Sequence, residues 1–285
     1  MLKISNNPTL RGLSLLCPGI VYSTATGTEL TLDLLMPDTM ENDTESRFPL
    51  VVFIQGSAWE FPDTGYQLPQ LSRISQAGYV VATVTHRSIQ KGHPAPAYLK
   101  DVKTAIRFLR TNARQYHIDP ERVYAFGTSS GGNTSLLLGL TGDREEFRTK
   151  EYPDASDRVD AVIDCFGPAD LADYLNLPED NPSREYALET FSIFCGGSID
   201  HTLIAKMSPI SYVQEGLSYV PFLIAHGDND PVVDFSHSVK MVRRLEECGA
   251  DVSFVCVEGA EHEGTFWSRQ IWDIIQGFLD KQAGK

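Results

Sequence analysis

From residue 50 onward, unbroken apolar runs alternate with stretches in which apolar side chains recur every three or four positions. The runs are LVVFIQ at 50–55, YVVATVTHR at 79–87, VYAFG at 123–127, VDAVIDCFGP at 159–168, VPFLIAHG at 220–227 and DVSFVCVEG at 251–259. The runs at 50–55 and 79–87 suit strands whose sheet is covered on both faces. Between them, 97–116 puts Val102, Ile106, Leu109, Ala113 and Tyr116 on one helical face, and the last helix aligns Trp267, Ile271, Ile274, Ile275 and Phe278. QLSRISQAG and FSHSVKMVRRLEECG read as helices that close on Gly78 and Gly249. Strand–helix alternation predicts an α/β fold, a mostly parallel central sheet flanked by helices.

The pattern weakens in two places. Residues 1–18 show no clear period and read as an irregular arm, after which 19–37 reads as a hairpin turning at Thr26-Gly27-Thr28 and ending at Pro37. Residues 169–218 hold helix-like pieces, prolines and aromatics but no strand. They fall between two sheet strands, which makes them a candidate lid on an otherwise single domain spanning 1–285. The acidic, turn-rich stretches at 37–49 and 141–157 read as solvated loops.

Composition narrows the classes of function. With 24 Lys and Arg against 38 Asp and Glu, the chain carries a net charge of −14. Nucleic acid and anionic membrane call for a basic face and are not expected partners. The five cysteines, Cys17, Cys165, Cys195, Cys248 and Cys256, fit neither a zinc site nor a disulfide framework. Free thiols in a reducing cytoplasm are the expectation. His93, His117, His201 and His237 show no metal-ligand spacing with carboxylates, so neither a metal nor another cofactor is implied. No leader is visible in MLKISNNPTLRGLSLLCPG, which lacks a continuous apolar core.

The chemistry lies at the ends of the predicted strands. Gly127-Thr128-Ser129-Ser130-Gly131 is a G-x-S-x-G turn between the strand VYAFG and a helix. Such a turn strains the serine and presents its hydroxyl above the first turn of a helix, where the Ser130 N–H and the helix dipole favour a developing negative charge. Ligands of a parallel sheet bind at the carboxyl ends of its strands. VPFLIAHG is followed there by Asp228-Asn229-Asp230, and DVSFVCVEG by Gly259-Ala260-Glu261-His262. A serine hydroxyl needs a neutral imidazole to take its proton, and the imidazole needs a carboxylate to hold its tautomer. Serine, aspartate and histidine in that chain order supply all of these.

GTSSGG at 127–132, SPISYV at 208–213, HGDNDPVV at 226–233 and GAEHEG at 259–264 give residues 20–280 a resemblance to α/β-hydrolase esterases. The chain resembles the hormone-sensitive-lipase-like branch and bacterial acetyl-xylan and feruloyl esterases. The resemblance implies an α/β-hydrolase fold, Ser129 as nucleophile, His262 as base and Asp230 as triad acid. It also implies a small-molecule or oligosaccharide ester as substrate, with acetylated or feruloylated carbohydrate leading. Where that family carries H-G-G-G-W, this chain has Gln55-Gly56-Ser57-Ala58-Trp59. Backbone N–H groups of Ser57 or Ala58 would then join Ser130 in the oxyanion hole, with the Ser57 hydroxyl as a further donor.

Other residues have weaker claims. Asp228 is the alternative triad acid, with turn hydrogen bonding as its plain role. His226 ends a buried strand and reads as a satisfied core histidine. His86 and Arg87 end another, and Asp101 opens a helix as a capping or ion-pair residue. Trp59, Phe61, Tyr66, Phe191 and Phe194 would line an acyl or aromatic pocket or simply pack. A prolyl-oligopeptidase-type serine peptidase and a non-catalytic hydrolase-fold binding protein are the rival readings. The first usually has a propeller domain for which 285 residues leave no room, and the second tends to have lost a triad member. A homo-oligomer stays open.

Overall fold

In a computed structural model describing residues 1–40 and 43–285, the apolar runs become strands of one sheet. The strands are β1 Ser14–Ser23, β2 Leu30–Pro37, β3 Phe48–Ile54, β4 Val80–Val84, β5 Ile118–Thr128, β6 Ala161–Cys165, β7 Phe222–Gly227 and β8 Val252–Val257. Their order in the sheet is β1-β2-β4-β3-β5-β6-β7-β8. β1 pairs antiparallel with β2, and β2 with β4; every other neighbouring pair is parallel. The helices are α1 Leu68–Gln76, α2 Ala97–Thr111, α3 Ser130–Leu140, α4 Ala172–Leu175, α5 Arg184–Phe194, α6 His201–Lys206, α7 Ser236–Glu247 and α8 Arg269–Ala283.

The two faces of the sheet carry separate cores, divided by the alternation of side chains along each strand. In β3, Leu50, Val52 and Ile54 face the core built with α2, α3 and α7. Val51 and Phe53 face the one built with α1 and α8. Burial on both sides is why the central strands read as unbroken apolar runs: Leu50 to Ile54 are all at most 1% exposed.

β1 begins at Ser14, inside the stretch expected to be an irregular arm. It is an edge strand: Leu15 and Leu16 remain exposed, and only its last residues, Tyr22 and Ser23, are buried. Main-chain pairing such as Leu16↔Leu35 makes it a strand, and a search for buried periodicity does not see pairing. The helix expected over 97–116 stops at Thr111, and β5 starts earlier than the apolar run at 123. Its first residues pair with β3 across a register shift between Pro49 and Leu50, so the polar Asp-Pro-Glu-Arg stretch hides them in the sequence.

Residues 169–218 hold α4, α5, α6 and a 3₁₀ turn at Pro209–Tyr212, and no strand, as expected. The segment lies against the sheet's carboxyl edge, where the Phe194 carbonyl accepts the Ala95 N–H at 2.9 Å. Among the described residues no helix is long and apolar enough to cross a membrane. All five cysteines are free.

Candidate active site

β5 runs through Ser129 directly into α3. Ser129 adopts φ 51, ψ −122, a conformation costly for any residue with a side chain. The flanking glycines let strand and helix come close enough. A Cβ on Gly127 would stand 2.0 Å from the Gly131 carbonyl oxygen, and one on Gly131 would stand 2.0 Å from the Ile54 carbonyl oxygen. The turn is held at both ends: the Ser129 N–H donates to the Cys165 carbonyl at 2.9 Å, and its own carbonyl accepts the Asn133 N–H at 3.0 Å. Ser130 is the first residue of α3, so its N–H has no acceptor within the helix.

Two loops bring the partners. Nε2 of His262, in the loop after β8, lies 3.0 Å from Ser129 Oγ. Its Nδ1 lies 2.6 Å from Asp230 Oδ2, in the loop after β7. A carboxylate only accepts, so Nδ1 carries the hydrogen and Nε2 is left to take one. The Asp230 side chain is fully buried. Its Oδ1 accepts the N–H groups of Val232 at 2.8 Å and Val233 at 3.0 Å. Burial pushes this carboxyl up, but hydrogen bonds from His226 and His262 outweigh it and hold the group well below the usual carboxylate range. Asp228 takes its turn role: it accepts the Gly259 N–H at 2.5 Å, tying the loops after β7 and β8 together.

The loop after β3 abuts the serine; a Cβ on Gly56 would stand 2.6 Å from Ser129 Cβ. The Gly56 N–H donates to Thr128 Oγ1 at 2.9 Å. Ser57 departs from expectation. Its N–H donates to Ser130 Oγ at 2.9 Å, and its hydroxyl donates to the Glu60 carbonyl at 2.7 Å. Both donors are committed to holding the loop, so neither is left for a ligand. Ala58, at φ 50, keeps an N–H without an acceptor among the described residues.

The BD-FAE family model matches residues 32–245. The chain belongs to the BD-FAE family. Its fold is that of the α/β-hydrolases. The BD-FAE match contains Ser129 and Asp230 and stops short of His262. The chain is similar to "Esterase LipC" of Mycobacterium tuberculosis, 30% identical over 220 residues that make up 75% of this chain and 52% of that protein. It spans about half the length of the curated relatives it matches. Among solved structures it resembles a truncated carbohydrate esterase from gut microbiota, with a TM-score of 0.79 and 27% identity over 98% of this chain and 100% of that one. It also resembles a bifunctional GH43-CE protein of Bacteroides eggerthii, with a TM-score of 0.79 and 28% identity over 94% of this chain and 38% of that one.

The five aromatic residues weighed as pocket walls part company. Trp59, Phe191 and Phe194 pack on one another and on Tyr98, with Trp59–Phe194 ring centroids 4.9 Å apart. All three are at most 5% exposed, so mutual packing takes up the surface a ligand would use, and they join α5 to the loop after β3. Phe61 is 55% exposed and free to meet a ligand. Tyr66 donates its hydroxyl to the Glu263 carboxylate. Arg87 is engaged by the buried Asp101 through a 2.7 Å ion pair, the structural pairing expected of that aspartate. His86 is buried, which lowers its proton affinity.

Two residues were not singled out from the sequence. Phe166, at φ 47 just past β6, sets its ring edge-on to His262 with centroids 4.7 Å apart. Glu263, at φ 66, gathers the Tyr66 hydroxyl and, at 2.7 Å, Trp267 Nε1. Neither has a periodic or motif signal; the one available clue to Glu263 was its place beside His262.

Proposed function

We propose that this chain is a serine carboxylesterase working through an acyl-enzyme. The observation that carries the reading is the unbroken line of hydrogen bonds from Asp230 through His262 to Ser129, 2.6 and 3.0 Å long. Ser129 Oγ attacks the ester carbonyl as His262 Nε2 takes its proton, and Asp230 stabilises the imidazolium. The carbonyl oxygen, now negative, is met by the N–H groups of Ser130 and Ala58. His262 returns the proton to the leaving alcohol; water then repeats the sequence on the acyl-enzyme and frees the acid. The family match and the similarity to LipC support ester hydrolysis. The carbohydrate esterase among the similar structures supports acetylated or feruloylated carbohydrate, or another short-chain acyl ester, as substrate.

The test is a panel of acetyl, butyryl, feruloyl and long-chain esters beside a dipeptide nitroanilide, run with wild type and Ser129→Ala. We expect acetyl or feruloyl esters to turn over fastest and the variant to lose several orders of magnitude while folding normally. Turnover of the nitroanilide in place of the esters would move the reading to a peptidase, and turnover of neither to a binding protein.

A further inference from the structure

Asp230 has a second histidine on it. Oδ1 holds two backbone N–H groups, and Oδ2, which takes the His262 Nδ1–H, also faces His226 Nε2 at 3.1 Å. The four acceptor positions of the carboxylate are thus all filled. His226 Nε2 also faces the Val233 carbonyl at 3.0 Å. Neither an ionised carboxylate nor a carbonyl can donate, so Nε2 carries the hydrogen and shares it between them. Nδ1 then needs a donor, and Ser238 Oγ stands 2.7 Å away. His226 and Ser238 are both fully buried, so water does not compete for these bonds.

A core histidine satisfied by Ser238 and Val233 alone would need no contact with Asp230. We propose that His226 is a positioning residue for the reaction: it fixes the plane of the Asp230 carboxylate and draws density from the oxygen that orients His262, while Ser238 sets its tautomer. The proposal rests on the esterase reading above. Among the described residues, the other titratable groups around this cluster are Asp234 on the same loop, Asp173 and Tyr174 from α4, and His237 and Lys240 from α7, whose ammonium pairs with Asp173. The rings of Phe166 and Phe235 close over His226.

The experiment compares His226→Leu, His226→Gln and Ser238→Ala. In His226→Leu the carboxylate loses one donor and pulls harder on His262. We expect kcat to fall about 10- to 100-fold with KM little changed, the range set by loss of a hydrogen bond to a charged group. The acid limb of kcat/KM should move to higher pH by about half a unit. Gln, whose Nε2 can occupy the place of the imidazole Nε2, should restore most of the rate and return the limb. A folded His226→Leu enzyme with wild-type kcat and an unmoved limb overturns the proposal. If the leucine variant does not fold, Ser238→Ala decides: a smaller loss with the same direction of shift supports it, and an unchanged profile overturns it. Low-field proton NMR needs no turnover, so it separates this idea from the esterase reading. The wild-type spectrum should contain the hydrogen-bonded protons of His226 Nε2 and His262 Nδ1; His226→Leu should remove the first and move the second, and an unmoved His262 proton counts against coupling.

Discussion

Ser57 donates its backbone N–H to the side-chain oxygen of Ser130, 2.9 Å away, across the seam between the loop after β3 and the first turn of α3. Under the proposed mechanism Ser130 has two tasks: its N–H would meet the oxyanion, and its side-chain oxygen holds the loop that carries Ala58. Ser130→Ala keeps the first and removes the second. We expect kcat/KM to fall about 5- to 10-fold, as for loss of one neutral hydrogen bond of about 1 kcal/mol, with kcat carrying the loss. Steady-state kinetics on a fast ester checks this; an unchanged kcat would mean that the Gly56–Thr128 bond holds the loop alone.

Tyr66 and Glu263 join the same loop to the one that carries His262. Burial, then the bond to Glu263, raises the Tyr66 hydroxyl above its ordinary range, so it stays a donor at any working pH. Tyr66→Phe leaves Glu263 with Trp267 Nε1 as its remaining side-chain donor. The expected outcome is a loss of about 1–2 kcal/mol in unfolding free energy and a lower kcat. Denaturant unfolding paired with kinetics reads both, and a drop in stability with kcat intact would make the contact purely structural.

Asp164 predicts how stability changes with pH. It is fully buried on β6, accepts the Gly167 N–H at 2.9 Å, and its Oδ2 has no partner among the described residues. Burial pushes the carboxyl up to about 7. Between about pH 4 and 7 the folded chain keeps a proton there that the unfolded chain has lost, so stability falls as pH rises through that window, by roughly 4 kcal/mol in all. Asp230 acts with the opposite sign: its depressed carboxyl stabilises the fold above the ordinary carboxylate range, and that contribution is lost as pH falls. Asp164→Asn should therefore stabilise the fold more at pH 8 than at pH 4. Thermal melts at both pH values test it, and an equal change at both would remove Asp164 as the source.

Gly127 and Gly277 should respond oppositely to alanine. At Gly127 the new Cβ would meet the Gly131 carbonyl oxygen at 2.0 Å, a contact with backbone that cannot yield. We expect a loss of about 3 kcal/mol or more, seen as a lower melting temperature or insoluble protein. At Gly277, inside α8, nothing lies within 4 Å, and alanine should stabilise the helix by about 0.5–1 kcal/mol. A tolerated Gly127→Ala would undo the close-approach account of the serine turn.

The sequence was most legible where burial imposes a period. The central strands and the helices on either face follow directly from apolar runs and stripes, because residues covered on both sides of a sheet have no polar alternative. The second half of β1 was legible as one arm of the hairpin over 19–37, but its start at Ser14 and the start of β5 were not, since main-chain pairing holds them and leaves no mark on side-chain pattern. His262 was legible because it follows a predicted strand in an order that suits the chemistry; strand position left Asp228 and Asp230 both open, and the resemblance to esterases chose Asp230.

The chain by itself determined which residue types reach the carboxyl edge of the sheet, because strand ends and turns are local properties. Only the tertiary structure decided which of their atoms meet. It tied the Ser57 N–H to the side chain of Ser130, closed the Trp59 cluster against α5, and brought His226 to the carboxylate oxygen that also holds His262. Hydrogen bonds and ring contacts between segments far apart in sequence depend on loop geometry at the level of an ångström, and residue spacing does not encode that distance.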